Sequence, residues 1–397
     1  MKILHLLASV RPESGGPVEY ARVMAEEHQK AGHESAFVTL DPPDAAFISD
    51  FGFQVHGAGP RGKGGYTPRF NGEVARLAPD FDAAVVHGLW NHATVGGTRA
   101  MEAAGLPWVI FSHGMLDPYF RKIKPAKHLV KQGFWTLFQG RALSRAHAVL
   151  FTCEEERLLA QNAFAGHQDY NARVVAFCAS QMGTGADAGQ DDFLRQLPAL
   201  SGRDYFLYLS RIHPKKACDQ LIEAFAAVAQ MDPGLDLVMA GPDQLGWVPE
   251  LKALAEQLGV ADRVHWPGMV KGAAREAAYS GARAFVLPSH QENFGLVVAE
   301  ALSVGKPVLI STEVNIWREV VAAGAGLAVP DTTADTTRML SDFLSRGEDE
   351  IAAMSRAART CYENHFSVPQ AAADLEAILL EAANVTPVRA CPEPEKQ

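Results

Sequence analysis

Short runs of β-branched and apolar residues alternate along the chain with longer stretches whose apolar positions recur at helical spacing, the signature of repeated βα units around parallel sheets. In the first half the runs predict strands over 2–8, 34–40, 83–87, 108–112 and 148–152. Between the first two lies a helix that opens at Pro17, runs through Tyr20, Val23, Met24 and Glu27 and stops at Gly32. The pattern restarts at 205–210, 235–240, 263–266, 284–287 and 307–310. A chain of 397 residues exceeds the roughly 250–300 at which a single core stops growing, so two α/β domains are expected. The Gly-, Asp- and Ala-rich stretch 181–203 reads as their connection, which sets the domains at 1–202 and 203–366. A helix within 367–386 follows, with Ala371, Leu375, Ile378 and Leu379 on one face, and 387–397 reads as a disordered tail.

Composition narrows the class. With 48% apolar and 21% charged residues and a mean hydropathy of −0.05, the chain is globular rather than disordered. No stretch reaches the 18 or so uninterrupted apolar residues of a membrane span. The apolar amino terminus is followed by Arg11 and Glu13 without a small-residue cleavage site, so it reads as a buried strand rather than a signal peptide. Five scattered cysteines without a C-x-x-C pair point to a reduced, cytoplasmic setting and away from structural zinc. A net charge of −10 excludes general nucleic-acid binding. Locally the balance inverts: between Ile110 and Leu150 seven basic residues, from Arg121 to Arg145, face one acid, Asp117. Interleaved with Phe134, Trp135 and Phe138, that patch suits anionic headgroups at the inner face of the plasma membrane.

Two clusters carry chemistry, and each directly follows a predicted strand. Pro288 to Leu302 contains Glu292, Asn293, Phe294, Gly295, Leu296 and Glu300. A helix starting near Phe294 would aim free N–H groups and a partial positive charge at the crevice beyond the strand ends, a ready site for a diphosphate. Glu300 would sit about 7 Å further along that helix than Gly295, while Glu292 stays at its mouth, so one carboxylate can meet sugar hydroxyls and the other a ribose. The second cluster, Ser210-Arg211-Ile-His-Pro-Lys-Lys216, sets a guanidinium fork and an ammonium before a helix, where cations oppose the dipole and are better explained as anion ligands.

Together these segments resemble the family-4 retaining glycosyltransferases of the GT-B fold, which carry an S-R-x-x-P-x-K-G segment and a Glu-x7-Glu motif. The likeness extends through Asp236 to Pro242, Arg263 to Gly268 and Glu292 to Leu309. It implies two Rossmann-like domains facing across a cleft, with the last helix crossing back to the first domain. It also implies that Arg211 and Lys216 hold the donor pyrophosphate and that Glu292, with the 294–296 backbone, holds the transferred sugar. Glu300 would hold the ribose, and Met269 and Val270 would flank the nucleobase, near Gly241. In the first half, Gly15 and Gly16 match the family's glycine loop and His113 the histidine that meets the donor sugar. His87 and Trp90 fall on the acceptor side, toward a glycan or lipid-linked acceptor. No metal or cofactor is implied, since no Asp-x-Asp is placed for one, and His87 with His92 lacks the spacing and the third ligand of a zinc site. Two departures stand out: Ala217 occupies the usual glycine after the motif lysine, and the family's Pro-Asn-Gly before the linker is absent. A literal G-x-G-x-x-G at 57–62 is interrupted by Pro60 and opens no helix, so it reads as a mobile rim loop rather than a dinucleotide site. The alternative within the fold is a sugar-nucleotide epimerase or phosphorylase.

Overall fold

The computed structural model describes residues 1–14, 16–59, 65–118, 121, 125–175, 177–179, 182 and 193–384. It divides into two compact units, one of residues up to 176 plus those from 371 on, the other of Phe177–Gln370. The division therefore falls at 176/177 and not near Gly202. Aromatic packing explains the shift. Phe177 sets its ring 5.5 Å from that of Phe294, Ala179 exchanges backbone and side-chain hydrogen bonds with Phe366 and Tyr362, and Phe193 packs on Tyr205. Phe193, from the stretch composed like a linker, thus belongs to the second core. The Gly15 site, Lys122, Lys124, most of the expected linker and the tail from Pro387 lie outside the described residues.

The first unit is built on a seven-stranded sheet: β1 (Lys2–Leu7), β2 (Glu34–Thr39), β3 (Gln54–Gly57), β4 (Ala83–His87), β5 (Trp108–Phe111), β6 (Ala148–Phe151) and β7 (Ala172–Val174). Its order is β3-β2-β1-β4-β5-β6-β7 and every pair is parallel. The chain winds away from β1 in both directions, so the sheet reverses its build between β1 and β4, the place where open α/β sheets bind ligands. Burial on both faces explains why these strands read as unbroken apolar runs. One core layer gathers Leu4, Leu6, Val38, Phe70, Val86 and Ile110, and a smaller one Leu7, Val18, Phe37 and Phe51. The first helix, Gly16–Lys30, begins at the carboxyl end of β1. The last, Val368–Asn384, buries Ala371, Leu375, Ile378 and Leu379, and His28 Nε2 donates to the Ala372 carbonyl at 3.1 Å.

The second unit carries a parallel six-stranded sheet: β8 (Asp204–Leu209), β9 (Leu235–Ala240), β10 (Val264–Gly268), β11 (Ala284–Leu287), β12 (Val308–Ser311) and β13 (Gly326–Val329), ordered β10-β9-β8-β11-β12-β13. Its switch point lies between β8 and β11. The two motifs follow those two strands. At the opposite edge, buried Asp236 receives Arg203 at 2.6 Å and His265 at 2.8 Å. Three edge elements, β3, β7 and β13, are additions to the expected strands. Gly57 accordingly ends β3 instead of belonging to a rim loop, while 60–64 lie outside the described residues.

Candidate functional site

After β8 the chain turns through Ser210 and Arg211 into a tight turn, Pro214–Lys216, and then the helix Cys218–Val228. After β11 it runs through Glu292 and Gly295 into the helix Leu296–Ser303, two residues later than expected. Backbone pairing joins these loops. The Lys215 carbonyl accepts from His290 N and Ser289 Oγ, both at 2.9 Å, and Glu292 pairs with the loop after β12 through Glu313 and Asn315. Arg211, Lys216, Glu292, Asn293 and Gly295 therefore stand together at one sheet edge.

Lys216, 5% exposed, pairs with the Glu292 carboxylate. The two residues expected on separate parts of the donor are thus partners of each other in the protein alone. Arg211 remains exposed, with Nη1 3.3 Å from Gln244 Oε1. Gly295 caps the Leu296–Ser303 helix at φ 79°, a left-handed conformation that glycine adopts at little cost. A Cβ there would come within 3.2 Å of Glu292 Cγ. Asn293 Oδ1 accepts from Asn315 at 3.4 Å. Phe294 is buried between Phe177 and Phe366, so only its backbone faces the motif loop, and Leu296 is partly exposed.

Glu300 is held by groups that sequence reading missed. Arg275 Nη2 and the Tyr279 hydroxyl donate to its Oε2 at 2.6 and 2.8 Å. Burial pushes the Glu300 carboxyl above its ordinary value, although both donors pull the other way. Met269 is 54% exposed just past β10, whereas Val270 is buried. Gly241 has a packing role: at φ 139° a Cβ would lie 1.8 Å from the Ser210 carbonyl oxygen, so only glycine lets these two loops touch.

In the first unit a cavity of about 510 Å³ opens beyond β1 and β4, lined by Ser9, Arg11, Asp41, His87 and Asn91 among others. Gly16 starts the helix beside it. His87, 4% exposed, is the middle of a row of three imidazoles: His5 Nδ1 lies 3.1 Å from His87 Nε2, and His87 Nδ1 3.3 Å from His113 Nε2. Burial pushes His5 and His113 down to about 3 and His87 well below its ordinary value, so all three are neutral near pH 7. Trp90 is turned elsewhere. Its indole packs among Phe134, Trp135 and Phe164, under Lys131. The row joins residues 82 and 26 positions apart, a spacing that leaves no local signal.

Two family descriptions match the chain: Glycosyl transferases group 1 over residues 190–360 and Glycosyl transferase 4-like domain over residues 15–178. The chain belongs to the family-4-type glycosyltransferases of the GT-B fold. Among relatives of this chain, the D-inositol 3-phosphate glycosyltransferase of Actinosynnema mirum is 38% identical over 146 residues, 35% of this chain and 34% of that protein. The chain thus spans about a third of that relative's length. The Frankia alni protein of the same description is 28% identical over 73% of this chain and 74% of its own. The fold is shared with Anabaena Alr3699/HepE in complex with UDP, at a TM-score of 0.75 and 20% identity over 96% of this chain and all of that one.

Proposed function

We propose that the protein moves a hexosyl group from a nucleotide-diphosphate sugar to a hydroxyl of a glycan or lipid-linked acceptor, with retention and without a metal ion. The observation that carries this reading is the convergence of Arg211, the Lys216–Glu292 pair and the start of the Leu296–Ser303 helix at one strand-end edge. Fixed positive charge there suits a leaving nucleotide diphosphate, whose negative charge grows in the transition state. Pyrophosphate would draw Lys216 from Glu292 and free that carboxylate for sugar hydroxyls. Glu300, anchored through Oε2, keeps Oε1 for the ribose, and exposed Met269 with the Val270 backbone flanks the base. His113 orients the transferred sugar, and the acceptor hydroxyl gives its proton to the departing phosphate on the same face. HepE, of the same fold, is described with UDP and with UDP-glucose, which supports a nucleoside-diphosphate donor.

The first unit's basic region suits an anionic membrane surface, the inner face of the plasma membrane in a cytoplasmic protein. Among the described residues no helix is long and apolar enough to cross a membrane. Arg141 and Arg145 pair with Glu102 and Lys131 sits over Trp90, so attraction falls to fewer cations than the sequence counts. Exposed Leu129, Val130 and Leu137 add apolar contact.

Thermal shifts with a panel of UDP, GDP and ADP sugars test the donor class. A true donor at 100 times its dissociation constant stabilises by about 2.7 kcal/mol. Transfer lost in EDTA and restored by Mn²⁺, or an inverted anomer by NMR, would refute the mechanism. Flotation with anionic liposomes that survives charge reversal of Lys122, Lys124 and Lys127 would refute the membrane contact.

A further inference from the structure

His113 occupies an unusual backbone state. It has φ 48° and is followed by Gly114 at φ 73°, two successive left-handed residues just past β5. Glycine adopts this region freely, whereas histidine needs surrounding structure to impose it. The structure supplies that constraint in one side chain. Glu156, 2% exposed in the helix Glu154–Ala160, places Oε1 2.6 Å from Ser112 Oγ and 2.6 Å from Gly114 N, the residues on either side of His113. Its Oε2 accepts from Thr152 N at 2.7 Å and Thr152 Oγ1 at 2.5 Å, at the end of β6. One buried carboxylate thus ties the ends of two strands together with His113 between its anchor points. The ring is fixed separately, stacked on Phe111 with centroids 5.0 Å apart and on His87 at 5.5 Å, with Tyr20 edge-on.

We propose that Glu156 is a positioning residue for His113, holding the left-handed turn that aims the imidazole at the substrate. The proposal rests on the reading of His113 as the group that orients the sugar. A buried acid in the first turn of a helix would more simply cap that helix. Here the third residue of the helix spends one oxygen on the segment before the helix and the other on the His113 turn, which a cap does not require. The donors satisfy the carboxylate on both oxygens, and the amide of glutamine cannot reproduce them, because on either side its NH₂ would face a backbone N–H, which can only donate.

The test is a double-mutant cycle read by nucleotide diphosphate release from the donor that gives the largest thermal shift. Glu156→Gln should lower kcat by about 10- to 100-fold, the scale of a misplaced orienting group, with KM for the donor changed by less than about twofold. In a His113→Ala background the same substitution should cost nothing further. Ser112→Ala, which removes one donor and keeps the carboxylate, should show a smaller loss with the same coupling and serves if Glu156→Gln does not fold. If either change lowers turnover equally with and without His113, or not at all, the positioning role is overturned. If His113→Ala itself leaves turnover intact, the reading of His113 fails and the proposal with it.

Discussion

Acid should weaken the first unit through His5. The side chain lies wholly buried in β1, stacked on Phe37 at 4.7 Å and bonded to His87. Burial, reinforced by repulsion from His28, pushes it down to about 3, while an unfolded histidine titrates near 6.5. Because the folded value is the lower one, the unfolded chain takes up the proton first. Stability is therefore lost as pH falls below about 6.5 and levels off only near 3. Between pH 7 and pH 5 this one group should remove about 2 kcal/mol. His5→Phe keeps a planar ring against Phe37 but leaves His87 Nε2 without its partner, which should cost about 1–2 kcal/mol at pH 7. At pH 5 the variant escapes the His5 penalty, so its deficit should close. Urea titrations read by hydrogen-exchange protection of peptides covering 2–7 and 83–87 report this unit by itself. A stability gap that is the same at pH 7 and pH 5 would refute the reasoning.

Arg211→Ala and Lys216→Ala should each cut turnover by about two to three decades, the loss typical of removing a fixed donor from a developing anion. Only the lysine change should also lower the melting temperature, because it leaves Glu292 without its ion-pair partner. Glu300→Ala should mainly raise the dissociation constant for the donor, with little change in kcat, as measured by titration calorimetry and steady-state kinetics. Ala217→Gly should stabilise the second unit by about 0.5 kcal/mol: Ala217 sits at φ 53°, and relief of that strain exceeds the added freedom of the unfolded glycine. A lower melting temperature in the glycine variant would contradict this.

The central strands were legible because burial on both faces writes them as continuous apolar runs, and β4, β9 and β11 fall where the pattern puts them. The edge strands Gln54–Gly57, Ala172–Val174 and Gly326–Val329 are short and half-exposed, so their composition resembles loop. The motif residues of the second unit were legible because Arg211, Lys216 and Glu292 lie within two short segments. Their partners were not. Arg275 reaches Glu300 from another helix, and the Lys216–Glu292 pair crosses 76 positions. The third glutamate of Glu154-Glu155-Glu156 carried a faint signal, since an acid at the third helical position commonly reaches back past its own cap, but nothing local shows that it reaches Ser112 and Gly114.

The helix that ends the described chain gives biosynthesis a schedule. Ala371, Leu375, Ile378 and Leu379 belong with residues 1–176, and the bond from His28 to Ala372 spans 344 positions. A ribosome moving at about 5–20 residues per second needs roughly 10 to 40 s to go from residue 176 to residue 384. Throughout that interval the nascent first unit lacks the helix that buries these four residues, while the second unit emerges behind it. Chaperone occupancy should therefore peak in this window, and truncation before Ala371 should prolong it indefinitely.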